Sequence, residues 1–171
     1  MRQAVVIDTN VLVTAEGGFD TSRNCVDRCQ KRLLSVQVGG CVVLDSGWQI
    51  LKEYETNLSR GRQPGVGFRF WQWLLNTRSA PDHLSWVTIT AHEQRVYEEF
   101  PEHDELRDFD WSDRKFVAVA VKHPSKPPII QATDSKWVGW KAGLAKCGIS
   151  VEFVCETEIK AKYEKKRGRR A

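Results

Sequence analysis

"VVIDTNVLV" occupies residues 5–13 and drives three β-formers, Val5, Val6 and Ile7, straight into Asp8, Thr9 and Asn10. An unbroken apolar run that short fits a strand buried on both faces, the usual state of a parallel sheet flanked by helices. In such sheets ligands bind beyond the carboxyl ends of the strands. A carboxylate placed directly after the run is therefore a candidate for chemistry. The pattern recurs: Asp45 follows CVVL (41–44) and Asp134 follows IIQAT (129–133). The competing role for Asp45 and Asp134 is to cap the next helix, since Asp is a preferred N-cap. Capping is the stronger expectation for Asp45, because Ser46 and Gln49 offer a capping box just beyond it.

Outward from these runs, apolar and amphipathic segments alternate. Ala4–Ile7 precedes 21–36, Cys41–Leu44 precedes 46–60 and 66–78, and Leu84–Ile89 precedes 91–100. Ile129–Ala132 precedes 135–147, and Val151–Cys155 precedes a terminal helix. This rhythm predicts βαβ units around a parallel sheet. GRQPGVG (61–67) and HPSKPP (123–128) read as loops. DRKFVAVAVKH (113–123) suits a buried strand or a helix by periodicity, whereas its Ser112-Asp113 start and its Lys122 and His123 end favour a helix.

With 171 residues and 41% hydrophobic content, one domain of ordinary size is expected. Residues 1–158 would form it and 159–171 a basic tail. Residues 160–170 hold seven of the 26 Lys and Arg but one of the 22 acids, a local charge of +6 that leaves −2 on the rest. Such a tail attracts phosphate backbones or is a solvated helix end. No apolar run approaches the roughly 18 residues of a membrane span, and no apolar segment near the N-terminus suits a signal peptide. The five cysteines include no CxxC pair and no zinc spacing, so reduced thiols in a soluble cytoplasmic protein are expected.

The densest acidic stretch is EEFPEHDELRDFDWSD (98–113), with eight acids against Arg107. Most of these read as solvated loop charges. Asp113 differs, because the positive field of the helix it opens would favour its ionised form. In SGWQILKEYETNLSR (46–60) the apolar stripe runs through Leu51, Tyr54 and Leu58. At about 100° per residue Glu55 falls near that stripe and Glu53 well off it, and the pattern does not select which one faces a site.

Four segments taken in order, VVIDTNVLVTA (5–15), ILKEYETNL (50–58), DFDWSDRKFVAVAV (108–121) and IIQATDSKW (129–137), resemble the acidic motifs of the PIN-domain nucleases. The resemblance covers roughly residues 3 to 155. It implies a three-layer α/β/α sandwich with a central parallel sheet of four or five strands. It also implies acids converging on one or two Mg²⁺ or Mn²⁺ ions. On this chain those acids are Asp8, Glu53, Asp113 and Asp134, with Asp110 as a fifth and Thr9, Asn10 and Ser135 as polar support. The motif selects Glu53 over Glu55 and makes 113–123 a helix. The implied activity is endonucleolytic cleavage of single-stranded RNA to 5′-phosphate and 3′-hydroxyl ends. A VapC-like toxin is one form of it, with a cognate antitoxin covering the site, and family members often form homodimers.

One position departs from the pattern. Many relatives carry an acid two residues after the position of Asp134, where this chain has Lys136. Either a single ion is held tightly or Lys136 touches a substrate phosphate, unless it is simply a surface lysine. GxSxG, Walker A, GxGxxG and HExxH motifs do not occur, which leaves serine hydrolase, P-loop, dinucleotide and zincin chemistry without support. The four histidines are scattered through loops and helix ends. FRFWQWLLNTR (68–78) mixes aromatics with arginine, a composition for core packing, a subunit interface or base stacking. Two further readings are a catalytically weak scaffold of the same fold, marked by lost acids, and a structure-specific DNA nuclease using the same metals.

Overall fold

The computed structural model describes residues 1–18, 20–58, 63–93 and 96–170. The end of the 46–60 stretch and the start of the 61–67 loop lie outside them. Five parallel strands make the central sheet: β1 (Gln3–Ile7), β2 (Gly40–Asp45), β3 (Leu84–Val87), β6 (Ile129–Gln131) and β7 (Val151–Phe153), in the order β3-β2-β1-β6-β7. Helices flank it in a three-layer α/β/α sandwich. They are α1 (Thr9–Ala15), α2 (Arg23–Gly39), α3 (Gln49–Leu58), α4 (Val66–Asn76), α5 (Arg114–Lys122), α6 (Lys136–Lys146) and α7 (Glu156–Arg170).

The topology follows from the sequence rhythm. From β1 the chain steps outward to β2 and β3, then crosses back over the sheet to β6 and β7. Right-handed crossovers assign helices travelling in opposite directions to opposite faces. The packing agrees: α1, α2 and α4 contact one another, whereas α5 lies across β1, β2 and β6. Strands covered on both sides need apolar residues throughout. Val5, Val6, Ile7, Val42, Val43, Leu44, Ile129 and Ile130 are accordingly all buried.

The 113–123 segment is a helix for most of its length, entered through a 3-10 turn at Trp111–Asp113. Its position across three strands explains why its apolar run is continuous, because Phe116 to Ala120 have no solvent side. Asp45 caps α3 as expected, accepting from Gln49 N (2.8 Å) and Ile50 N (2.9 Å). The capping box does not form, since Ser46 bonds Thr88 (3.0 Å) and Gln49 accepts from Tyr97 (2.5 Å). Among the described residues the 91–100 stretch contains no helix; β4 (Ala91–Glu93) and β5 (Val96–Tyr97) pair antiparallel, and 91–93 are exposed. Gly67 is required where α4 meets α1, because a Cβ there would stand 2.1 Å from the Leu12 carbonyl oxygen. Glu16 completes that junction by accepting from Gly65 N (3.0 Å) and Phe68 N (2.5 Å).

The expectation of five reduced thiols is corrected. Cys25 on α2 and Cys155 between β7 and α7 form a disulfide, while Cys29, Cys41 and Cys147 are free. The pairing was illegible because its partners lie 130 residues apart and meet only through the sheet topology. Cys29 is a buried core thiol whose pKa burial pushes up to about 12, so it is unreactive at neutral pH. Closing so long a loop restricts the unfolded chain. Reduction, or Cys25→Ser with Cys155→Ser, is expected to cost about 2 kcal/mol and to lower the melting temperature by about 5 °C. Thermal unfolding with and without reductant measures this, and identical curves would refute it.

Candidate metal centre

The sheet order places a topological switch between β1 and β6, which leave the same edge toward connections on opposite faces. The register Val6↔Ile129 and Ile7↔Ile130 holds their ends level, and Asp8 N donates to the Ile130 carbonyl at 3.0 Å. Asp8 therefore emerges beside the turn that carries Asp134. Its carboxylate caps α1 by accepting from Asn10 N (2.9 Å). Asn10 ties this corner to the β6 exit: its Oδ1 accepts from Ala132 N (3.0 Å) and its Nδ2 donates to Gln131 Oε1.

Glu53 reaches the same edge from α3. Ile50, buried with Leu51, Tyr54 and Leu58, widens the helix's apolar face toward the Glu53 side, so Glu53 is half-buried and Glu55 exposed. The stripe read from Leu51, Tyr54 and Leu58 alone had placed Glu55 nearer. Glu53 is fixed from two directions, with Thr9 Oγ1 donating to its Oε1 at 2.5 Å and Lys115 Nζ paired with its Oε2. Lys115 is buried, and its ammonium also donates to the Ser112 carbonyl.

Asp113 sits at the end of the 3-10 turn, where its backbone N donates to Asp110 O (3.1 Å) and the buried Trp137 indole donates to its Oδ2 (3.3 Å). Carboxylate oxygens of Asp110, Asp113 and Asp134 all lie within 4.8 Å of one another. Asp8, Glu53, Asp113 and Asp134 line one cleft of about 520 Å³, together with Thr9 and Asn10. Lys136 Nζ lies 2.7 Å from Asp110 Oδ2, and the carboxylate raises the pKa of the amine. Ser135 and Gln131 are buried, and among the described residues Ser135 Oγ and Gln131 Nε2 have no hydrogen-bond partner. A second hollow of about 750 Å³, lined in part by Phe100, Trp111 and Arg114, includes none of the four acids in its wall.

The electrostatics show carboxylates crowded beyond what local cations balance. Asp113 is raised to about 6, first by burial and then by Asp134, with Lys115 and the Trp137 hydrogen bond opposing. Asp8 is raised well above the usual carboxylate range by burial, then by Asp113, with Glu53 and Asp134 adding and the Asn10 N–H opposing. The expectation that the field of α5 would favour ionised Asp113 is corrected. Burial and neighbouring carboxylates outweigh one helix end, whose effect is at most about 2 kcal/mol.

These features fit a hard divalent cation. The donors are oxygens, the carboxylates of Asp110, Asp113 and Asp134 are close enough to share one ion, and a cation would offset both the burial and the repulsion that raise Asp8 and Asp113. Of the residues that hold the ligands in place, Thr9 and Asn10 were expected as polar support, whereas Lys115, Trp137 and Gln131 were not. Lys115 announces itself only as a lysine heading an apolar helix, and Trp137 and Gln131 look like ordinary core residues. Comparison of the chain with protein-family models, curated proteins and solved structures returned no match.

Proposed function

We propose that the protein is a divalent-metal-dependent endoribonuclease that hydrolyses phosphodiester bonds in single-stranded RNA. One observation carries the reading: four acids from four separated segments, which resemble the motifs of the PIN-domain nucleases, line a single cleft at the sheet's switch point.

Asp8, Glu53, Asp113 and Asp134 would hold the ion with Asp110 as a fifth acid, the carboxylates of Asp110, Asp113 and Asp134 being close enough to share it. A bound Mg²⁺ or Mn²⁺ would supply Lewis acidity toward a phosphate oxygen and lower the pKa of a water. The chain's own part is preorganisation. Thr9 and Lys115 hold Glu53, Trp137 orients Asp113, and Asn10 and Gln131 lock the loop that delivers Asp134. Lys136, paired with Asp110, would meet a substrate phosphate if it is released from that pair. Cleavage would leave 5′-phosphate and 3′-hydroxyl ends, as the resemblance implies.

A toxin with a cognate antitoxin, a homodimer and a cytoplasmic location belong to the same proposal and rest on the same resemblance. No helix among the described residues is long and apolar enough to cross a membrane. In the cytoplasm the Cys25–Cys155 bond would face a reducing thiol pool.

Pure protein incubated with single-stranded RNA and DNA in Mn²⁺, Mg²⁺ or EDTA, alongside Asp8→Asn, tests the reading. The expected result is RNA cutting that needs both the ion and Asp8. Cutting confined to DNA would reassign the chain to DNA nucleases. A scaffold reading draws on Lys115 and Lys136, which already neutralise Glu53 and Asp110. Metal-independent RNA or protein binding without cleavage would favour it.

A further inference from the structure

Residues 159–170 of the basic segment lie on the terminal helix expected after Val151–Cys155. α7 runs from Glu156 to Arg170, and its root is anchored by the Cys25–Cys155 disulfide, by buried Ile159 and by Ser22 Oγ donating to Glu158 Oε1 at 2.5 Å. Lys162, one turn beyond that root, lines the acid cleft with Asp8, Asp113 and Asp134. Its Nζ donates to the Thr133 carbonyl at 3.1 Å, the residue immediately before Asp134.

At about 100° per residue, Lys162, Lys165, Lys166, Arg169 and Arg170 fall within an arc of about 140°, with Glu164 on the opposite side. Among the described residues α7's ion pairs are Lys160–Glu156 and Arg167–Glu164, so the five cations on the Lys162 face have no acidic partner. They form a positive stripe that begins inside the cleft and continues for about 12 Å along the helix.

Building on the nuclease reading, we propose that α7 is the substrate track. Lys162 engages a phosphate beside the acids, and Lys165, Lys166, Arg169 and Arg170 carry the neighbouring phosphates of the same single-stranded RNA. The charge distribution favours this arrangement. A polyanion approaching Asp8, Asp113 and Asp134 is repelled, and a fixed row of cations at the cleft's mouth offsets that repulsion along the strand. The contacts would be to the backbone and so blind to sequence.

The test uses Asp8→Asn protein, so that RNA survives, with and without the combined changes Lys165→Glu, Lys166→Glu, Arg169→Glu and Arg170→Glu. Anisotropy of a labelled RNA of about 20 nucleotides is followed across salt concentration. The charge reversals are expected to weaken binding at least 30-fold and to flatten the slope of log K against log salt by about 2 to 3, near 0.7 for each lost phosphate contact. In the Asp8 protein, wild type should prefer that RNA over one of about 4 nucleotides in cleavage, and the same four changes should erase the preference. The melting temperature guards against misfolding, and Lys165→Ala with Arg169→Ala should give an intermediate loss. Cleavage by wild type with affinity, slope and length preference unmoved by the reversals would overturn the track and leave the nuclease standing. Failure of wild type to cut any RNA would overturn the nuclease reading and the track with it. Loss of binding to anionic phospholipid vesicles with RNA affinity unmoved would also overturn the track, reassigning α7 to a membrane surface.

Discussion

Asp113→Asn is expected to raise the melting temperature of metal-free protein at pH 7.5 by about 5 to 10 °C while lowering RNA cleavage at least about 1,000-fold. The stabilising half follows from linkage. In the folded protein Asp113 titrates near 6, above the usual carboxylate range, because burial and Asp134 oppose its charge. The folded state therefore holds the proton more tightly than the unfolded chain, so this group makes stability fall as pH rises from about 4 to about 6. Above that window the penalty is constant, at about 2 to 3 kcal/mol from the displacement. Asparagine carries no charge to penalise, and its amide oxygen still accepts from the Trp137 indole. The melting temperature of wild type should drop between pH 4.5 and 7.5 with chelator present, and that drop should shrink in the variant. A variant that melts lower than wild type at pH 7.5, or that still cuts RNA, would sink the assignment of Asp113 as a ligand held under repulsion. Asp8→Asn should behave in the same direction, since asparagine is as good an N-cap for α1 as aspartate.

The legible parts of the fold were those fixed by burial on both sides. VVI, CVVL and IIQ read as strands because a sheet covered twice leaves no polar face, and the acids after them point to the ligand edge for the same reason. The 91–100 stretch misled because a pair of short antiparallel strands needs little apolar surface and imposes no strong period. Its Glu99 instead accepts from Thr90 N (2.9 Å), a contact with no sequence signature. Glu53 and Glu55 were undecided because helical phase identifies the buried face but not the neighbour on each flank. α3 places Glu53 against Thr9 and Lys115, and that neighbour is tertiary. The disulfide was invisible for a related reason, since Cys25 and Cys155 are brought together by the position of β7 at the sheet edge. The basic segment was legible as charge but not as a direction: only the anchoring of α7 shows that its stripe starts in the cleft.

Mn²⁺ or Mg²⁺ added to wild type at pH 7.5 is expected to raise the melting temperature by about 10 °C at an ion concentration several hundred times the dissociation constant. Binding of that strength to the folded state alone contributes about 3 to 4 kcal/mol, at about 2 to 4 °C for each. The ion competes with protons for Asp113 and Asp8, both raised, so the increment should fade as pH drops through 6, where Asp113 takes up its proton. Asp113→Asn should start from a higher melting temperature and gain little from the ion, which separates loss of a ligand from loss of stability. Lys136 sharpens the expectation. Its ammonium stands 2.7 Å from Asp110 and beside the acidic group, where a second cation would have to displace it. One ion per chain should therefore bind, and Lys136→Ala should tighten binding several-fold by removing a positive charge at close range. Calorimetric titration of wild type and Lys136→Ala at pH 7.5 reads both quantities. Two tight ions in wild type, or weaker binding in the variant, would mean that Lys136 does not occupy the place of a second metal.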